Sequence, residues 1–104
     1  MSQPHKPDEE EIMSYLLVFM EDDRISVWHL AIMTAILCLG YRQGQKGTIQ
    51  VSRTRIMKQS HINTIPTYHK YFKELRDLGY IEYVPSYNPG YKSEVILNQK
   101  KVTQ

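Results

Sequence analysis

The stretch VSRTRIMKQSHINTIPTYHKYFKELRDLGYIEYV, residues 51–84, decides the fold. Ser52 stands where a helix needs a side-chain oxygen to accept one of its first free amides, so the spacing predicts a short helix from Arg53 to about Gln59. Ser60, His61 and Ile62 then read as a turn. Asn63 or Thr64 caps the next helix, in which Pro66 falls in the first turn, where its missing N–H costs nothing. At 100° per residue Tyr68, Phe72 and Leu75 share one face, with Tyr71 and Leu78 at its edges. Gly79 is a left-handed stop. Tyr80 to Val84 then reads as a strand.

Working outward, Glu94 to Asn98 alternates with Val95 and Leu97 on one face, a second strand that closes a hairpin over the turn-rich residues 85–93. Upstream, Thr48 to Val51 alternates in the same way. Between Ser26 and Gly44 the chain is apolar nearly all round, a helix expected to be covered on two sides. Before it, Ile12, Tyr15, Leu16, Phe19 and Met20 form one helical stripe behind the acidic residues 8–11. Residues 1–7 and 99–104 read as flexible tails. The expected organisation is one domain over 8–98, with two helices in 8–43 and the helix pair plus hairpin in 48–98. The fold class is mainly α with a small β-hairpin (α+β).

Charge is unevenly spread. The net is +2 over 104 residues. The first 25 residues hold two basic groups against seven acidic ones, a net of −5. The rest hold 11 against 4, a net of +7. A basic body behind an acidic head suggests that the body meets a polyanion. The 17 residues Ile25–Tyr41 contain no Asp, Glu, Lys or Arg. That is the short edge of a membrane span, but the remainder reads as a domain that uses this run as its core, so no membrane association is expected. The lone Cys38 excludes an internal disulfide and is expected as a small buried core residue. His5, His29, His61 and His69 lack partners at metal-ligand spacing, so no metal is expected. No secretory leader is visible, which makes a reducing, cytoplasmic setting the default expectation. No nucleophile–base pair or glycine-rich phosphate loop appears, so no enzyme, cofactor or small-molecule ligand is expected.

Helix, helix, short strand, helix, turn, helix and hairpin is the order of a winged helix. Val51 to Leu97 resembles the winged helix-turn-helix DNA-binding domains of small bacterial transcriptional regulators, including those carried on mobile genetic elements. The resemblance rests on Val51-Ser52-Arg53, on the run Tyr68 to Ile81 with its Lys73-Glu74-Leu75 and Leu78-Gly79-Tyr80-Ile81, and on Tyr83 to Gly90. It implies a recognition helix at about 64–78 in the major groove of double-stranded DNA, and a wing at 85–93 on the backbone or minor groove.

The residues themselves point the same way. Arg53, Arg55 and Lys58 lie at or after a helix N-terminus, where amides and cations together suit phosphate. Thr64, Thr67, Lys70 and, at the edge, His69 are placed to meet bases, with Lys73 beside them. Glu74 and Asp77 keep the far end of that helix out of the groove. Tyr87, Asn88, Tyr91 and Lys92 are the wing contacts, with Tyr83 beside the hairpin. No Arg or Asn stands on the recognition face, so specificity per copy should be modest and pairing through residues 8–43 should help. Trp28 and Tyr15 are expected in the core or that interface. The alternative is a winged-helix protein–protein interaction module that does not bind DNA.

Overall fold

A computed structural model of the chain describes residues 9–44, 47–86 and 92–98. The elements are α1 (Glu9–Met20), α2 (Val27–Gln43), β1 (Thr48–Val51), α3 (Arg53–Ser60), α4 (Ile65–Asp77), β2 (Ile81–Val84) and β3 (Ser93–Leu97). The chain is mainly helical with one small antiparallel sheet. Helix boundaries follow local chemistry. Ser52 Oγ accepts the Arg55 amide at 3.2 Å. Gly44 closes α2 with φ of 69°, and Gly79 follows α4 with φ of 87°. His61 ends α3 at φ of 61°, an uncommon conformation for a residue with a Cβ. The expected tails and most of the expected wing, residues 87–91, lie outside the described residues.

The sheet is larger than the expected hairpin. β3 lies between β1 and β2, antiparallel to both, in the order β1-β3-β2. Ile49 pairs with Val95 on one side, and Tyr83 pairs with the same Val95 on the other. Ile49, Val51, Ile81, Val95 and Leu97 turn inward. Strand alternation predicts which side chains are buried, but not that β1 finds its partner some 45 residues on.

α2 is the central element: α1, β1, α3 and α4 all pack on it. Ile32, Met33, Ile36 and Leu39 supply its buried surface, Ile56 and Ile62 that of α3 and the following turn, and Tyr68, Phe72 and Leu75 that of α4. Phe72 sits edge-on to Tyr83 at 5.2 Å and stacks on Tyr68 at 5.3 Å, so the axis of α4 is held by aromatic contacts to the sheet. Phe19 brings α1 into the same core, edge-on to Tyr80 at 4.7 Å.

Two polar clasps join distant segments. Tyr80 Oη donates to Asp22 Oδ2 at 2.6 Å. The same carboxylate accepts Arg24 Nη2 at 2.7 Å and Arg24 Nε at 2.9 Å. These bonds, that from Arg24 first, hold the Asp22 carboxyl well below the usual carboxylate range. Burial, and then the donated bond to Asp22, push the Tyr80 phenol up to about 12. In the second clasp His29, buried at the start of α2, receives the Ser26 amide on Nδ1 at 2.8 Å and meets Glu74 Oε1 of α4 through Nε2 at 2.6 Å. An Nδ1 that accepts an amide proton leaves Nε2 as the donor to Glu74. His29 therefore caps one helix and anchors another.

Two side chains, Cys38 and Met20, depart from expectation. Cys38 is exposed, because it lies on the side of α2 turned away from α3, α4 and the sheet. Trp28 is 42% exposed and stacks on Tyr71 at 5.8 Å. Met20 ends its stripe beyond the last core contact and is exposed. Tyr15 is half-buried, and burial, then the Glu11 charge, raise the pKa of its hydroxyl.

Candidate nucleic-acid interface

The N-terminus of α3 opens at the end of β1, and β3 begins directly opposite. The chain thus places Arg53 and Arg55 beside Lys92. With Gln50, Val51, Ser52 and Ser93 they line one concavity of about 300 Å³. Ser52 occupies one of the free amides of α3. The positive end of the helix and three cations surround the hollow, which suits an anion physically.

The Tyr68 hydroxyl is shifted above its ordinary pKa, first by burial and then by Tyr83, while the positive charge of Arg53 pulls the other way. His69, next in sequence and exposed, has its ring 5.4 Å from that of Tyr68.

On α4 the exposed groups near the N-terminus are Thr64, Ile65, Pro66, His69 and Lys70. Thr64 Oγ1 donates to Thr67 Oγ1 at 2.7 Å, leaving the half-buried Thr67 hydroxyl proton to serve another acceptor. Lys70 Nζ lies 4.9 Å from the centre of the Tyr71 ring, a contact that directs the side chain without neutralising it.

Lys73 carries an ion pair within its own helix. It is exposed, but its Nζ is 2.8 Å from Asp77 Oδ2, one turn on. The pair is weak and solvent-screened, yet it offsets the charge that Lys73 would offer a phosphate. Glu74, expected on the exposed face, instead turns to His29. Lys58 is exposed on the last turn of α3, on the face of Arg55 but away from the hollow. Tyr87, Asn88 and Tyr91 lie outside the described residues.

Two residues were missed by sequence reasoning. Ile65 is in phase with Tyr68, Phe72 and Leu75, which argues for the core, yet it is 44% exposed because the first turn of α4 projects past the core. Arg76 is exposed, with its guanidinium 5.9 Å from the centre of the Tyr83 ring, which turns it toward β2. No periodicity marks it.

Among the described residues no cluster of three or more His, Cys, Asp or Glu could hold a metal ion. No helix there is long and apolar enough to cross a membrane. Comparison with protein-family models, curated proteins and solved structures found no match to this chain.

Proposed function

We propose that the chain is a winged helix-turn-helix protein that binds double-stranded DNA as a small transcriptional regulator or mobile-element accessory factor. In this reading α3 and α4 are the helix-turn-helix, β2 and β3 carry the wing, and β1 is the third strand. The element order and the strand order β1-β3-β2 support it. The observation that carries it is the convergence of Arg53, Arg55 and Lys92 on one hollow at the start of α3, beside an α4 whose N-terminal half is exposed.

The division of labour follows from chemistry. A DNA phosphate occupies the hollow, held by cations and α3 amides, which sets register without reading sequence. The first turns of α4 enter the major groove. There Ile65 meets a thymine methyl, the Thr67 hydroxyl donates to a base edge, and Lys70 donates to guanine acceptors. Without a forked Arg or Asn contact, discrimination per site stays modest.

Fluorescence anisotropy with a labelled random-sequence duplex at low salt tests this directly. Salt-sensitive binding at micromolar protein or below is expected. No binding under those conditions would overturn the proposal and favour a protein-docking role for the same fold.

A further inference from the structure

One face of α2 serves neither the core nor the proposed DNA surface. Val27, Ala31, Thr34, Cys38 and Tyr41 recur at spacings of four, three, four and three, the seam of a coiled coil. Val27 is 73% and Tyr41 39% exposed. Thr34 and Cys38 are exposed and Ala31 is half-buried. No position in the seam is charged. On the opposite side of the helix His29, Ile32, Ile36 and Gly40 are buried. The seam therefore does not follow from core packing, and a helix facing only water has no need of it.

The neighbouring surface extends it. Between α1 and α2 runs a groove of about 220 Å³, walled by Ile12, Leu16, Leu37, Cys38 and Tyr41, with the charged Glu9 and Arg42 also on its lining. Beyond its rim Met13, Leu17 and Met20 of α1 are more than half exposed. Exposed apolar side chains gathered on one surface of a 104-residue chain suit an interface.

We infer that this face binds a second copy of the chain, with the two α2 helices antiparallel and the two-fold axis at Thr34. Charge selects both the occupant and the direction. Arg42 is exposed at one end of the seam, and Glu21 and Asp23 are exposed just beyond the other. Antiparallel pairing brings Arg42 of each copy toward the acidic turn of the other. Parallel pairing would set Arg42 against Arg42. Antiparallel helices also align their dipoles favourably. The α1–α2 groove of each copy flanks the seam and receives side chains of the other, giving a four-helix layer. α4 packs on the far side of α2, marked by the His29–Glu74 contact, so pairing leaves it open. The dimer stands or falls independently of DNA binding.

Sedimentation velocity on the full chain tests the inference together with thiol cross-linking. The wild type should sediment as a dimer of the 12.3 kDa chain at tens of micromolar. Thr34→Arg, a change at an exposed position, should give monomer at every concentration with an unaltered far-UV circular dichroism spectrum. In a Cys38→Ser background, Thr34→Cys should form a disulfide-linked dimer under a mild added oxidant. Wild-type Cys38 should not, because four residues from the axis on antiparallel helices leave the two thiols about 12 Å apart along the seam. A wild type monomeric at several hundred micromolar, a dimer that survives Thr34→Arg, or ready cross-linking through Cys38 but not residue 34 would each overturn it. The cross-linking arm remains decisive even if Thr34→Arg fails to fold.

Discussion

Replacing Arg53 and Arg55 together by Gln tests the proposed phosphate hollow most sharply, because the reasoning fixes a slope as well as a loss. Arg53, Arg55, Lys58, Lys70 and Lys92 are exposed cations without an opposing carboxylate in a salt bridge among the described residues. If each neutralises one phosphate, log K should fall with log salt at a slope of about −4.5, since each phosphate contributes about −0.9. The double variant should lie near −2.7. Between 50 and 200 mM salt the wild type should lose about 500-fold in affinity and the variant about 40-fold. Ser52 continues to cap α3 through the Arg55 amide, which Gln retains, so circular dichroism should not change. Anisotropy titrations at four or five salt concentrations measure both slopes. An affinity loss with the slope unchanged would show that these arginines act through the fold and would refute the assignment.

Four further outcomes follow from the same geometry. Asp77→Asn should release Lys73, tighten DNA binding and steepen the slope by up to about 0.9; weaker binding would contradict the pairing argument. Tyr80→Phe removes a bond to a charged acceptor and should cost about 1.5–3 kcal/mol in urea titrations at pH 7. The Asp22 contribution is present above the unfolded carboxylate pKa of about 3.9 and is lost as pH falls, whereas that of Tyr80 is lost as pH rises from about 10 toward 12. Tyr80→Phe should therefore flatten both limbs of the stability–pH curve, and identical limbs in wild type and variant would count against the clasp. Phe19→Ala should cost about 3–5 kcal/mol, a large share of what a chain this size holds, measured by thermal melting.

Much of the fold was legible because its punctuation is local. Ser52, Gly44 and Gly79 act on amides and carbonyls within a few residues, and Tyr68, Phe72 and Leu75 declare their face by spacing alone. What was missed is non-local. α2 is apolar on every side, so its composition could not say that Cys38 faces out while Ile36 faces in. β1 carries no mark of β3. At the candidate site, the cations of α3 could be found from their position after a cap. Lys73 and Asp77 stand one turn apart, so spacing alone allows their pairing; that Glu74 would turn to His29 depended on where α2 lay. Ile65 misled because periodicity gives direction around a helix but not how far the core extends along it.

The central place of β3 in the sheet has a consequence for synthesis. A nascent chain emerging from the ribosome can wind α1 to α4 early, but β1 and β2 hold no hydrogen bonds with each other and must await residues 93–97 before either is satisfied. Until then Ile49 and Val51 present an open edge, the kind of surface that recruits a neighbouring polypeptide. Of these three strands the one translated last is thus the one that pairs with both others, and a chain stalled before it should be the most prone to aggregate.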